Sequence, residues 1–429
     1  MAGSQAPDVL IVGAGIGGLT LALSLHRAGI PARLVEAVPS IRPLGVGINV
    51  LPHAVRELTE LGLAERLEAR AIRTKELIYT NKFGQEIWRE ARGLDAGYNW
   101  PQFSVHRGAL QMLLFDAVRE RLGAEAVQTD TELLGFEQDA TGVTVRLRRR
   151  SDGAALPAQR SALLIGADGI HSAVRAAFYP DEGAPKWNGA VLWRATTEAA
   201  PYLSGRSMIM AGHQDQKFVC YPIDPEAAGR GRSVVNWIAE LRYPNDTPWN
   251  REDWNRPGRI EDFLPRFESW NFGWLNVPGL IRGAQAIYEF PMVDRDPVEH
   301  WSFDRVTLLG DAAHAMYPIG SNGASQAIID ARVLAHRLAT IHDPLAALRA
   351  YEAERLPATA RIVLANRANG PERVMQYVEE RAPKGYAKLD DIISRAELEA
   401  SAKDYKLIAG FDKDALNTRA SLDARYGAV

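Results

Sequence analysis

Asp8-Val9-Leu10-Ile11-Val12-Gly13-Ala14-Gly15-Ile16-Gly17-Gly18 is the stretch from which the fold is read. Asp8 to Val12 is continuously apolar and β-rich, the pattern of a strand buried on both faces. Glycines 13, 15 and 18 then complete a G-x-G-x-x-G, and Leu19 to Arg27 runs with helical periodicity until Ala28-Gly29, a glycine stop. Ala32-Arg33-Leu34-Val35-Glu36 reads as a second strand that ends in an acid. Each part has a physical task. Gly13 permits the tight turn, Gly15 lets main chain approach a pyrophosphate, and Gly18 lets helix sit close on strand. The helix start, including Ile16 and Gly17, offers unsatisfied N–H groups and the positive end of a dipole. Glu36 is placed to accept hydrogen bonds from a ribose diol, and an acid there argues against a 2′-phosphate. The unit predicts a dinucleotide site without separating FAD from NAD.

Two later segments repeat the arrangement of a buried strand delivering an acid to a glycine-containing loop. Ala162-Leu163-Leu164-Ile165-Gly166-Ala167-Asp168-Gly169 leads through Ser172 into a helix carrying Arg175. Arg305-Val306-Thr307-Leu308-Leu309-Gly310-Asp311 leads through Pro318-Ile319-Gly320-Ser321-Asn322-Gly323-Ala324 into a helix from Ser325 to Leu338. Asp311 can bond a ribitol or ribose hydroxyl. The N–H groups around Ser321, Asn322, Gly323 and Ala324 can face a flavin pyrimidine edge, where negative charge collects on reduction. A second G-x-G-x-x-G is absent from the sequence, so a second nucleotide would have to visit a cleft rather than its own Rossmann unit.

The remaining bounds are permissive. A chain of 429 residues, 46% hydrophobic and 24% charged, has the length for two to three domains. A formal charge of -3 gives no footprint for nucleic acid or an anionic membrane. Arg148-Arg149-Arg150 reads as a solvated hairpin end, and Cys220 is alone, so no internal disulfide is available. The apolar run from Val9 to Leu25 is interrupted by glycines and lacks a preceding basic region, so it does not read as a leader or span. The expected location is the cytoplasm. No metal-ligand spacing, G-x-S-x-G or Cys-His nucleophile pairing stands out.

The three motifs, in this order and at these separations, resemble those of the single-component flavoprotein aromatic hydroxylases, the para-hydroxybenzoate hydroxylase fold. The likeness runs from about residue 8 to Pro357, where Tyr351-Glu352-Ala353-Glu354-Arg355-Leu356-Pro357 matches a Y-E-x-x-R-x-P segment. Within that family the chain is more similar to the phenazine-carboxylate and salicylate type hydroxylases, through Ile41-Arg42-Pro43-Leu44-Gly45-Val46-Gly47-Ile48, His106-Arg107-Gly108 and Phe290-Pro291-Met292-Val293-Asp294-Arg295-Asp296-Pro297. The resemblance implies FAD held by Arg42 and Arg107 at ribose or phosphates, by Asp168 at the pyrophosphate, by Asp311 at the ribitol, and by the main chain of Val127 at the adenine. It also gives Asp168 a contact with visiting NADH or NADPH. Ser321 and Asn322 depart from the family's P-x-x-G-Q-G pattern, which leaves the hydrogen bonds at the ring open.

The implied fold class is α/β: a Rossmann-like FAD-binding domain of the GR2 type, an inserted antiparallel-sheet substrate domain and a C-terminal helical tail. Residues 1–71, 101–185 and 293–357 would form the first, 72–100 and 186–292 the second, and 358–429 the tail, as a docking arm or a dimer contact. Seven of the ten tryptophans lie between residues 187 and 274, which fits sheet core better than an aromatic-lined pocket. Arg194, His213, Tyr221 and Tyr288 are pocket candidates. For Arg194 a substrate carboxylate, the flavin and a structural pair all stand open. His314 reads as bracing the Gly-Asp segment. The implied reaction is hydroxylation of a small electron-rich aromatic compound, a phenol or an aromatic carboxylate, with or without decarboxylation, using NAD(P)H and O2 through a C4a-hydroperoxyflavin. Alternatives are a flavin oxidase or dehydrogenase on the same scaffold, a non-enzymatic flavin sensor, and a halogenase, whose W-x-W-x-I-P signature is absent. The chain is expected to work as monomer or homodimer, without nucleic acid or membrane.

Overall fold

The computed structural model describes residues 6–244 and 256–427. Five parallel strands form the first sheet, in the order Val306–Leu308, Leu163–Gly166, Val9–Val12, Ala32–Val35 and Val127–Gln128. The strand Val9–Val12 lies in the middle and is buried throughout, as its unbroken apolar run requires. The helix Ile16–Ala28 ends at Gly29, whose φ of 77° is the left-handed cap expected from Ala28-Gly29. It packs against the helices Gly323–Thr340 and Arg107–Leu122. A three-stranded antiparallel sheet, Thr131–Gln138, Val143–Arg149 and Ala155–Ser161, continues outward. Its arginines 148 and 150 pair with Glu132 and Arg149 with Asp152, all on the solvated hairpin.

The second body of the fold is an eight-stranded sheet. Its order is Arg256–Pro257, Tyr288–Asp294, Lys186–Ala199, Ser233–Arg242, Gln216–Pro222, Ser207–His213, Glu76–Thr80 and Glu86–Ala91. The expectation of a purely antiparallel sheet needs one correction, because Ser207–Ala211 pairs parallel with Glu76–Thr80. The two blocks are joined by a long excursion through the first sheet, and a long crossover leaves a parallel joint open. One face carries Trp193, Trp237 and Phe218 and is covered by Phe263, Phe267, Trp270 and Ile281. These tryptophans are core, as the stronger reading of the sequence has it; Trp249 and Trp254 lie outside the described residues.

The chain beyond Pro357 is not a separate arm. Pro357 sits inside the helix Pro344–Arg367, so the expected boundary there has no counterpart in secondary structure. Buried Leu348, Tyr351, Arg355, Thr359, Ile362 and Asn366 recur at helical spacing on both sides of the proline, and that continuous inner face carries the helix through it. The helices Arg373–Arg381 and Arg395–Ile408 then cover the other face of the large sheet, where Met375, Val378 and Leu398 meet Leu77, Met208 and Met210. The end of the chain returns to the first body: Tyr426 N donates to Ala28 O at 2.9 Å. No helix among the described residues is long and apolar enough to cross a membrane.

A buried ion network fastens this return. The Arg332 side chain, 2% exposed, bonds Glu57 (3.1 Å), Glu60 (2.8 Å) and Asp423 (2.7 Å), and Arg419 also reaches Glu57. Removing one partner of a buried pair strands the other charge in a medium that cannot solvate it. Arg332→Ala should therefore lower the unfolding free energy by about 3–5 kcal/mol. Arg395→Ala, which breaks an exposed pair with Glu399, should leave stability unchanged. Urea melts of the two variants check this, and equal effects would contradict the assignment.

Candidate active site

The carboxyl ends of the parallel strands bring the three motifs together. Gly13 adopts φ 103°, and a Cβ there would meet Ala167 O at 2.4 Å, so the first turn sits directly on the Asp168 loop. A Cβ on Gly18 would meet Gly13 O at 2.0 Å, which is the close helix-on-strand contact read from the sequence. Gly15 differs: a Cβ there would find nothing within 4 Å. The protein has no packing reason for glycine at 15, whereas a pyrophosphate laid over the loop does. Gly15 is also the N-cap of Ile16–Ala28, with no side chain capping it, so the donors of this helix start remain for a ligand.

Glu36, one residue past the second strand, accepts from Ala14 N at 2.7 Å and Val38 N at 2.9 Å, which fixes its carboxylate beside the phosphate loop. Val127 pairs with Leu34 on the edge strand, and Glu36 N donates to Gln128 O at 2.9 Å. Arg42 and Arg107 are both exposed and come from segments in tight contact, since a Cβ on Gly108 would meet Pro43 at 2.4 Å. Gln111 Nε2 donates to Ala14 O at 2.9 Å and holds the Arg107 helix against the phosphate loop.

Asp168 is turned to its own loop. Ser172 Oγ donates to one oxygen at 2.5 Å and Ala173 N to the other at 2.8 Å, while burial pushes the carboxyl above its ordinary value. Arg175, 1% exposed, donates to Ala312 O (3.1 Å) and Ala313 O (2.8 Å) and so clamps the Asp-Gly segment to the Gly-Asp segment. Asp311 stands exposed at the start of the short helix Asp311–His314. His314 braces that segment from behind, its Nε2 2.5 Å from Asp330 Oδ2.

In the loop before Gly323–Thr340, Ser321 takes a left-handed φ of 57° and the helix again has no side-chain cap. The Asn322 side chain points inward, its Nδ2 donating to Tyr405 OH at 2.9 Å, so at 322 only the main chain is left free to meet a ligand. Tyr405 OH also lies 2.9 Å from Asn366 Oδ1. The departure from the family pattern is thus braced by a tyrosine of the C-terminal segment, a role the local sequence does not announce.

Beside this loop lies a narrow cleft, whose volume open to a water-sized sphere is about 20 Å3. Leu77, Tyr79, Met208 and Met210 of the large sheet form one wall, Gly320 and Ser321 a second, and Ala402, Tyr405 and Phe411 of the C-terminal segment a third. None of the four pocket candidates lines it. Arg194 Nη2 (3.1 Å) and Tyr221 OH (2.9 Å) both donate to Gly47 O, and Gly47 N donates to Asn236 Oδ1 at 2.7 Å. These three side chains clamp the Val46-Gly47-Ile48 segment to the large sheet. Tyr288 pairs opposite Arg194 across the strands. His213 closes a turn, accepting from Asp215 N at 3.3 Å. The residues that do line the cleft were missed because two distant segments and the C-terminal helices meet only in three dimensions.

A model of the family described as FAD binding domain matches residues 6–256 and 279–366. Over 362 residues the chain is 47% identical to the phenazine 1,6-dicarboxylic acid hydroxylase PhzS of Lysobacter antibioticus, covering 84% of this chain and 89% of that one. The chain belongs to the FAD-dependent aromatic hydroxylases. It is also 34% identical over 402 residues to the 3-amino-4-hydroxybenzoate 2-monooxygenase PtnB3 of Streptomyces platensis, covering 90% of this chain and 94% of that one. Among solved structures, HpxO of Klebsiella pneumoniae with FAD and uric acid aligns with a TM-score of 0.72 at 25% identity, over 95% of this chain and 96% of that one. The open Gly15 cradle, the uncapped helix starts, Glu36 and Asp311 fit the FAD of this family.

Gly15→Val should yield a folded protein that has lost FAD, because its side chain meets only the ligand's space, whereas Gly18→Val should fail to fold. Asp311→Ala should weaken FAD retention by about 1–3 kcal/mol. Flavin absorbance per polypeptide and thermal melts read all three; normal FAD content in Gly15→Val would contradict the placement of the phosphate loop.

Proposed function

We propose that this enzyme uses NAD(P)H and O2 to hydroxylate a small aromatic carboxylate that enters the narrow cleft between the large sheet, the Pro318–Ala324 loop and the C-terminal segment, widening it as the ring binds. The observation that carries the reading is the position of the cleft. Its apolar wall of Leu77, Met208 and Met210 faces Gly320 and Ser321, the part of the chain that borders the cofactor's ring in the family's arrangement. Bound FAD supplies the redox chemistry, taking electrons from NAD(P)H and passing an oxygen atom from O2 to the ring.

The chain's own residues bind, orient and keep dry. Leu77, Met208 and Met210 offer a flat ring an apolar wall, and their opposite neighbours on the strands belong to the tryptophan-rich core that keeps the sheet rigid. Tyr405 and Phe411 close the cleft from the C-terminal side and exclude water, which a reactive oxygen-transfer site requires. The uncapped start of Gly323–Thr340 points its positive end toward the loop and favours negative charge there. Asp168 and Asp311 remain our assignments for the pyrophosphate end and the ribitol, with Arg42 and Arg107 at the phosphates or ribose.

Reduction of the cofactor with no ring to hydroxylate would consume NAD(P)H without product, so the substrate should govern it. NAD(P)H oxidation by the holoenzyme should be slow alone and rise at least about tenfold with the correct aromatic acid, equal to about 1.4 kcal/mol of barrier. Stopped-flow or steady-state oxidation across a panel of aromatic acids reads this. A rate indifferent to every aromatic acid would contradict the reading.

A further inference from the structure

One end of the cleft holds a buried guanidinium with a donor that the fold does not use. Arg92 follows the edge strand Glu86–Ala91, and its main-chain N–H is fixed to Lys75 O at 2.8 Å. Its side chain is 11% exposed and pairs with Glu90 at 3.2 Å through Nη2. Lys406, on the helix Arg395–Ile408, pairs with the same Glu90. Two cations therefore share one carboxylate at this end, while behind Tyr79 and Tyr405 the two carboxylates Glu240 and Glu372 share Lys217. The Arg92 Nε is buried and meets no hydrogen-bond acceptor among the described residues. The phenols of Tyr79, Tyr98 and Tyr405 stand close to the Arg92 charge, and burial raises all three above the ordinary value, so they are neutral. Gln102 shares this end of the cleft and can accept but cannot neutralise.

A buried N–H donor without an acceptor is costly until one arrives. Arg92, Glu90 and Lys406 line the same cleft as Leu77, Met208 and Ser321. An anion at Arg92 thus belongs to a molecule whose body lies on the apolar wall and whose other edge meets the cofactor loop. Guanidinium geometry suits a carboxylate, which it can hold through two parallel N–H donors. Resting on the reading of this cleft as the substrate site, we propose that Arg92 is the carboxylate-binding residue of the enzyme, with Lys406 as the second cation. The preferred substrates are planar aromatic acids that place an anionic group at the Arg92 end and an unsubstituted ring edge at Ser321. The C-terminal segment thereby contributes to specificity, since Lys406 is delivered by it.

The test uses the FAD-loaded enzyme and two probes of like shape, phenazine-1,6-dicarboxylic acid and uncharged phenazine, titrated by the perturbation of flavin absorbance. Arg92→Gln should weaken the dicarboxylate at least about thirtyfold and leave phenazine within about twofold. Arg92→Lys, which keeps the charge and loses the fork, should fall between. In turnover, Arg92→Gln should raise KM for the acid far more than it lowers kcat. FAD content and melting temperature equal to the wild type establish that the variants are folded, and Arg92→Lys alone decides the matter if Arg92→Gln is not. Equal loss of both probes, or unchanged dicarboxylate affinity, overturns the proposal while leaving the substrate cleft standing. A wild type that binds neither probe overturns the cleft reading and the proposal together.

Discussion

The carboxylate of Asp330 holds the cofactor site in register. It is sealed in the middle of the helix Gly323–Thr340 with no exposure. Gly310 N (3.1 Å), His314 Nε2 (2.5 Å) and Arg355 Nε (2.7 Å) converge on its two oxygens. Burial alone would push this carboxyl up, but His314 and Arg355 outweigh it and hold the group below its ordinary value. Arg355 also donates to Gln326 Oε1 at 2.6 Å. One buried anion thus ties the Gly-Asp loop, the first turns of the loop-bearing helix and the long helix Pro344–Arg367 to a common point. A charge so placed is tolerable only when fully partnered, so the arrangement tends to hold as a unit or fail as one. The position of Asp311 follows from it, as does the separation between the Gly-Asp loop and Ser321.

The C-terminal segment is the second structural theme. Helices that in sequence look like an appendage supply Tyr405 to Asn322, Phe411 to a stack on His53 and Lys406 to Glu90. The His53 ring is fully buried, and burial lowers its pKa to about 3, so it packs there as a neutral ring. Cofactor loop, sheet wall and roof are therefore one continuous packing problem. A Cβ on Gly320 would meet Tyr405 OH at 2.0 Å, and the same position takes φ 70°, so glycine is required there twice over.

The first body of the fold was legible because its information is local. Val9–Val12, Leu163–Gly166 and Val306–Leu308 each read as a buried strand, and each hands over to its motif within two or three residues. The turn at Gly13 and the close helix packing at Gly18 were legible, and Gly15 is left clear of the protein's own packing. The substrate side was not, because its residues lie in blocks whose pairing is set at long range. The parallel joint between Ser207–Ala211 and Glu76–Thr80 has no local signature, and it is what places Met208 and Met210 beside Leu77 and Tyr79. Arg194 and Tyr221 were marked as pocket candidates, but here both donate to the carbonyl of Gly47. Arg92 gave no sequence signal at all, since an arginine after a charged strand reads as surface until Lys406 arrives from over three hundred residues away.

In the function proposed, the cleft directs oxygen into a ring rather than stripping hydride from a substrate. Incorporation of labelled molecular oxygen, measured by mass spectrometry on the product of the aromatic acid that most stimulates NAD(P)H oxidation, tests that claim most directly. The expected product carries one atom of the label on the ring. A dehydrogenated product without label, with the consumed oxygen recovered as hydrogen peroxide, would contradict it and make the protein an oxidase on the same scaffold.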